Sequence, residues 1–220
     1  MFLVRHGETN WNAERRIQGQ SESNLNETGR QQAHELQSWA ESAGFDAVYS
    51  SSSVRTVETA EIITGNIDLP LQKRDDLREI HLGPWEQLLW SDIEQSGTQE
   101  VINFREYPHL FNLEGAETFS ELRERGINGL HQIAQQHHQG DKILVVSHGA
   151  LLAAALSGLA SVSLSRLWKN PSLPNCSVSE VTVNKSSAAV ANHGADPVSG
   201  LQVVSVAGTP LHESLWFETS

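Results

Sequence analysis

Apolar and β-branched runs alternate along the chain with segments whose apolar positions recur every three or four residues, the pattern of βα units around a largely parallel sheet. Phe2, Leu3 and Val4 form a short buried strand. Asn26 is placed to cap a helix with Ala33, Leu36, Trp39 and Ala40 on one face, ending before Gly44. A strand from Asp46 to Tyr49 follows, then a helix from about Val54 to Thr64 that stops at Gly65, then an extended stretch from Leu69 to Ile80. Thr118 and Glu121 have capping-box spacing ahead of Leu122, Ile127, Leu130 and Ile133, which predicts a long amphipathic helix to about His138. Lys142 to His148 reads as a central strand running into an apolar helix from Ala150 to Leu159. Residues 177–185 and 201–208 alternate like an antiparallel edge hairpin, joined by an Ala-, Ser- and Gly-rich loop.

One segment breaks this rhythm. From about Pro84 to Glu117 the chain is rich in Trp, Gly, Pro and Phe and shows little periodicity. In open α/β sheets ligands bind beyond the carboxyl ends of the strands, so a long irregular insertion is a candidate cap over that edge. The expected architecture is a three-layer α/β/α sandwich with a mostly parallel central sheet, an irregular cap at about 84–117 and a C-terminal antiparallel edge hairpin. A single domain over 1–220 accommodates it.

Composition narrows the function classes. Fifteen Lys and Arg against 27 Asp and Glu give a net charge of −12, which argues against a nonspecific nucleic-acid or anionic-membrane binder. No stretch has the roughly 18 consecutive apolar residues of a membrane span, and the early charge after Met1 leaves no room for a signal peptide. A cytoplasmic protein is expected. The single cysteine, Cys176, agrees with a reducing compartment and is expected to be a small buried hydrophobe. His131, His137 and His138, at a polar helix end, are expected to be solvated rather than metal-binding. The Trp residues are expected mostly in the core, with Trp11 and Trp85 flanking chemically interesting motifs.

The chemistry concentrates at three strand-to-helix junctions. Residues 3–12, LVRHGETNWN, end an apolar strand in Arg5, His6 and Gly7. A neutral imidazole can attack phosphorus, and a guanidinium fork matches phosphate oxygens. Residues 145–150, VVSHGA, end a second strand in His148 and Gly149 and pass at once into a helix, whose N-terminus favours an anion. Residues 49–62, YSSSSVRTVETAEI, place Arg55 in the first turn of a third helix. Convergence of these side chains on one edge of a parallel sheet is far more specific than any single motif.

With these residues the sequence resembles the histidine phosphatase superfamily, also called phosphoglycerate mutase-like, and in particular its short bacterial phosphatase-type members. VRHGETNWN with IQGQ at 17–20, LNETGRQQA at 25–33, YSSSSVRTVETAEI, LREIHLGPWE at 77–86, EGAETFSELRER at 114–125 and VVSHG match its motifs in order. The resemblance implies that His6 is the nucleophile, that Arg5, Arg55 and His148 hold the phosphoryl oxygens, and that Glu79 is the general acid and base. It further implies that Asn12, Gln18, Gly19 and Gly149 line the substrate site, and that neither metal nor other cofactor is needed. Departures lie in the periphery. Glu22, Asn24 and Asn26 look like loop and cap substitutions, Ser52 replaces a Pro, Gln87 replaces a common Gly, and His81 stands beside Glu79.

The reaction expected is hydrolysis of small-molecule phosphate monoesters. A cofactor-dependent phosphoglycerate mutase is the alternative, and a catalytically silent phosphate-binding regulator is a third class. The expected cap carries one Arg, Arg105, against Glu86, Asp92, Glu94, Glu100, Glu106, Glu114 and Glu117, and so is expected to repel a bisphosphate. The partner is a small phosphate ester, with no nucleic acid or membrane, and the edge hairpin could pair across a homodimer.

Overall fold

The computed structural model describes residues 1–169, 173–184 and 200–213. Its strands are β1 (Phe2–Arg5), β2 (Ala47–Ser51), β3 (Leu71–Arg74), β4 (Ile143–Ser147), β5 (Val178–Val183), β6 (Leu201–Val206) and β7 (Thr209–Pro210). They form one sheet in the order β3-β2-β4-β1-β5-β6-β7. The first four are mutually parallel, and β5, β6 and β7 continue the sheet antiparallel. The edge hairpin is therefore present. Lys185 and the connection 185–199 lie outside the described residues. The hairpin's far side carries the short β7, whose Pro210 has no N–H to offer a further strand.

Alternation along the central strands sorts side chains into two cores. Leu3, Ala47, Tyr49, Ile143 and Val145 face one side, which is covered by α7 (Phe119–Gln135) and α8 (Gly149–Leu159). Val4, Val48, Leu144 and Val146 face the other, covered by α2 (Glu27–Glu35), α3 (Gln37–Ala43) and α4 (Val54–Ile63). Strands buried on both faces are continuous apolar runs, as β4 is. Among the described residues no helix is long and apolar enough to cross a membrane.

Caps set the helix ends. The Asn26 side chain accepts from the Gly29 N–H, and Thr118 and Glu121 make the reciprocal capping box ahead of α7. The expected single helix after Asn26 is divided at Leu36 into α2 and α3, and α7 ends at Gln135, three residues before His138. The expected extended stretch 69–80 is a strand only over Leu71–Arg74, after which Asp75–Leu77 turn in a 3-10 helix.

The insertion is not irregular. It holds α5 (Trp90–Ser96) and α6 (Gln99–Glu106), whereas the four-residue α1 (Asn10–Ala13) lies near the chain start. Its organising centre is aromatic: Phe104 has ring centroids of Phe111, Phe119 and Trp90 at 5.2, 5.3 and 5.4 Å. A cluster converging on one ring from several short elements leaves no repeating period in the sequence.

Candidate active site

The site follows from strand order. β2, β4 and β1 are parallel neighbours in register, with Arg5 opposite Ser147 and Ser50 opposite Val146. Their carboxyl ends deliver Arg5 and His6, His148, and the turn leading to Arg55 to one spot. There a cavity of about 250 Å³ is lined by Arg5, His6, Asn12, Gln18, Gly19, Arg55 and Glu79, seven of the nine residues the sequence singles out.

His6 is 2% exposed, and its Nδ1 lies 2.7 Å from the Gly7 carbonyl. A carbonyl can only accept, so Nδ1 carries the ring proton and Nε2 keeps its lone pair. Burial, then the positive charges of Arg55 and Arg5, hold the imidazole well below its ordinary pKa, so the ring is neutral near pH 7. The backbone around it is fixed by the His6 N–H to Ser147 O and by the Asn175 amide donating to His6 O at 2.8 Å.

Arg55 is fully buried, and burial pulls it down to about 10, still a cation at neutral pH. Its Nη1 and Nη2 donate to the carbonyls of Ser21 and Gly19 at 2.9 and 2.8 Å, and Nε donates to His148 Nδ1 at 3.2 Å. Among the described residues these use three of its five N–H groups, which leaves one on each terminal nitrogen. Arg5 donates to Leu173 O at 2.5 Å, while its buried Nε has no hydrogen-bond partner among the described residues.

His148 does not line the cavity. It lies fully buried behind His6, ring centroids 5.3 Å apart, with Nδ1 accepting from Arg55 and Nε2 2.9 Å from Ser51 Oγ. Both nitrogens are engaged in this structure, and through Nδ1 the ring braces Arg55. Gly149 likewise stays off the cavity wall and opens α8 against the Arg5 guanidinium. Gly19 has φ +51°, and a Cβ there would fall 2.3 Å from Glu86 Oε1, so only glycine lets its carbonyl reach Arg55. Gln18 and Asn12 are tied together through Thr9, whose hydroxyl lies 3.0 Å from Gln18 Oε1 and 3.1 Å from Asn12 Oδ1.

Glu79 sits over the N-terminus of α8. Its Oε2 accepts from Ala150 N at 3.1 Å, and Oε1 accepts from Leu151 N at 3.0 Å and Ile80 N at 2.9 Å.

Several contributors escaped sequence reasoning. Arg16 joins the cavity rim, and Ile17, Ile80, Leu82, Trp90 and Phe104 give it an apolar wall. The cap therefore covers the site with aromatic surface, and none of its seven carboxylates lines the cavity. Glu86 turns inward to Gln20 N, Ser21 Oγ and His81 Nδ1, Glu117 pairs with Arg125, Glu94 pairs with Arg105, and Glu106 faces a separate groove. The cap's carboxylates thus lie off the cavity wall, while the charge of Glu86 still reaches Arg55. Gln87, at φ +71°, holds the left-handed backbone that a glycine would adopt freely.

Cys176 is buried, and desolvation pushes its thiol up to about 12. His137 is not solvated but packs on Tyr49, whose hydroxyl is 2.9 Å from Nε2. Trp85 is buried, Trp11 and Trp90 are half-buried, Trp168 is exposed, and Trp216 lies outside the described residues.

The chain is 38% identical over 160 residues to a metal-independent phosphoserine phosphatase of Arabidopsis thaliana, a match spanning 70% of this chain and 66% of that one. It is 36% identical over 193 residues to the probable phosphoglycerate mutase GpmB of Escherichia coli, covering 84% and 86% of the two chains. Among solved structures, YhfR of Bacillus stearothermophilus superposes with a TM-score of 0.81 at 34% identity, over 90% of this chain and 98% of that one. Residues 1–196 match the histidine phosphatase superfamily (branch 1), and the chain belongs to that family.

Proposed function

We propose that this protein hydrolyses small phosphate monoesters by way of a phosphohistidine on His6. The observation that carries this reading is the Nδ1 contact to the Gly7 carbonyl, which turns the unprotonated Nε2 of a neutral, buried ring into the available nucleophile. In the first step the Nε2 lone pair forms a bond to phosphorus as the bond to the ester oxygen breaks. Glu79, protonated on Oε2, gives its proton to the departing oxygen. Oε2 accepts one backbone N–H against two on Oε1, which leaves it the room. In the second step Glu79 takes a proton from water, the water oxygen bonds to phosphorus, and the N–P bond breaks to regenerate His6. The free N–H groups of Arg5 and Arg55 neutralise the equatorial oxygens, and His148 and Ser51 keep Arg55 in place.

The apolar wall favours the phosphatase reading over the mutase. Holding a bisphosphate while it reorients calls for cations around the distal pocket. Here that region offers Ile17, Leu82, Trp90 and Phe104 with Arg16, whose Nε donates to Glu14 at 2.9 Å. The substrate class supported is a singly phosphorylated ester with an apolar or aromatic body. Relatives named as a phosphatase and as a probable mutase make the comparison worth settling directly. Rapid quench with labelled aryl phosphate should leave acid-labile, base-stable phosphate on the wild type and none on His6→Ala. Inorganic phosphate should accumulate with or without 2,3-bisphosphoglycerate. Cofactor-dependent interconversion of 3- and 2-phosphoglycerate with little phosphate released would establish the mutase instead.

A further inference from the structure

The segment that carries Glu79 is fastened from behind by an ion pair. Arg125 on α7 makes five bonds with its five N–H groups. Nε and Nη2 meet the two oxygens of Glu117 at 2.8 and 2.7 Å, Nη1 donates to the carbonyls of Asp76 and Arg78 at 3.1 and 2.7 Å, and Nη2 also reaches the carbonyl of Glu79 at 3.2 Å. Glu117 holds the other flank, since its own N–H donates to His81 O at 2.8 Å and its Oε2 accepts from His81 N at 3.2 Å. Residues 76 to 81 are therefore gripped on both sides of Glu79.

The front of Glu79 is fixed by α8, and the two grips are mechanically joined. Gly126, next to Arg125, lets α7 seat on α8: a Cβ there would lie 3.2 Å from Ala155 Cβ and 3.4 Å from Leu151 Cγ. Leu151 is the residue whose N–H binds Glu79 Oε1. The packing of α7 on α8 thus sets the gap that the Glu79 side chain spans, and Glu117 ties that gap to the end of the cap.

We infer that Arg125 and Glu117 are positioning residues for Glu79, holding its carboxyl at the leaving-group oxygen. The inference rests on Glu79 being the acid of the proposed reaction. A lysine at 125 would keep the charge but could not span a carboxylate and three carbonyls, because an ammonium lacks the planar fork. Misplacement on the order of 1 Å at a reacting group costs about 10²-fold.

The test compares kcat/KM for an alkyl phosphate, whose alkoxide needs the proton, with that for p-nitrophenyl phosphate, whose phenolate barely does. Arg125→Lys and Glu117→Gln should each lose about tenfold to hundredfold on the alkyl ester and less than about threefold on the aryl ester. Adding either change to Glu79→Gln should cost little more on the alkyl ester, as expected for groups acting through one residue. Equal losses on both esters, or full additivity with Glu79→Gln, would overturn the inference and leave a purely structural pair. Should one variant fail to fold, the other carries the comparison. Glu79→Gln alone separates the two levels. Equal losses in that variant remove Glu79 from the acid role and this inference with it, whereas leaving-group dependence there and none in Arg125→Lys overturns only the positioning role.

Discussion

Arg55 donates its Nε–H to His148 Nδ1 at 3.2 Å, and Nε2 of that same ring lies 2.9 Å from Ser51 Oγ. An imidazole that accepts at Nδ1 must be neutral with its proton on Nε2, so His148 acts as an oriented acceptor for the guanidinium. Desolvation, followed by the charge of Arg55, holds it well below the ordinary histidine range, which keeps that lone pair available. Arg55→Lys removes Nε–H and the fork, and turnover of p-nitrophenyl phosphate should fall by about 10² to 10³, the scale for losing one charge-stabilising donor. Steady-state kinetics on a variant with an unchanged melting temperature checks it. Near wild-type kcat would place Arg55 away from the reacting phosphoryl group.

The lowered pKa of His6 has a kinetic consequence. In the proposed reaction neutral His6 is the nucleophilic form, and its folded pKa lies well below 6.5, so the acid limb of kcat/KM should appear well below the pH at which a solvent-exposed histidine titrates. Arg5→Gln removes one of the two cations that depress it, and the limb should then move up in pH. An acid limb at or above pH 6.5 in the wild type would mean that the ring is not held neutral as described.

The same two histidines tie stability to pH. His6 and His148 are neutral in the folded protein and have depressed pKa values, whereas in the unfolded chain each titrates near 6.5. Below that pH the unfolded state binds more protons. Their contribution is therefore fully present above about pH 6.5 and is lost as pH falls toward the folded values, at up to about 1.4 kcal/mol per pH unit per histidine. Urea midpoints should fall from pH 6.5 downward, and His148→Gln should make that fall shallower. An unchanged slope in this variant would show that carboxylates alone govern the acid limb of stability.

How much of this was legible follows from where each residue sits. Arg5, His6, Arg55 and His148 stand at the ends of short apolar runs, and strand ends are visible in a sequence because a two-sided buried strand is a continuous hydrophobic word. Parallel neighbours in register then bring those ends together. Phe104 was not legible as a pocket residue, since α6 buries Val101 and Asn103 and leaves Ile102 exposed, a pattern no helical period singles out. Arg125 was hidden differently. A charge on an amphipathic helix reads as a solvated face, and only the fold shows that this one points back onto the Glu79 loop. Composition counts the cap's charges without saying which way they face, and none of its seven carboxylates lines the cavity.

The apolar wall supplies the last expectation. Burying an aromatic ring of substrate against Ile17, Leu82, Trp90 and Phe104 is worth about 25 cal/mol per Å² of apolar surface removed from water, so even a modest contact of about 60 Å² gives roughly 1.5 kcal/mol, or about tenfold. In the wild type, kcat/KM should therefore be higher for naphthyl phosphate than for phosphoserine. Phe104→Ala should lower it by about tenfold for the naphthyl ester while leaving phosphoserine within about threefold. Phe104 is also the hub of the cap's aromatic cluster, so loss of its ring could loosen the cap for every substrate. Leu82→Ala removes wall surface while keeping every ring of that cluster, and should show the same discrimination at smaller size. If both variants slowed both esters equally, the wall would be holding the cap closed rather than recognising the body of the substrate. A wild type that preferred phosphoserine would exclude an apolar body as its preferred substrate outright.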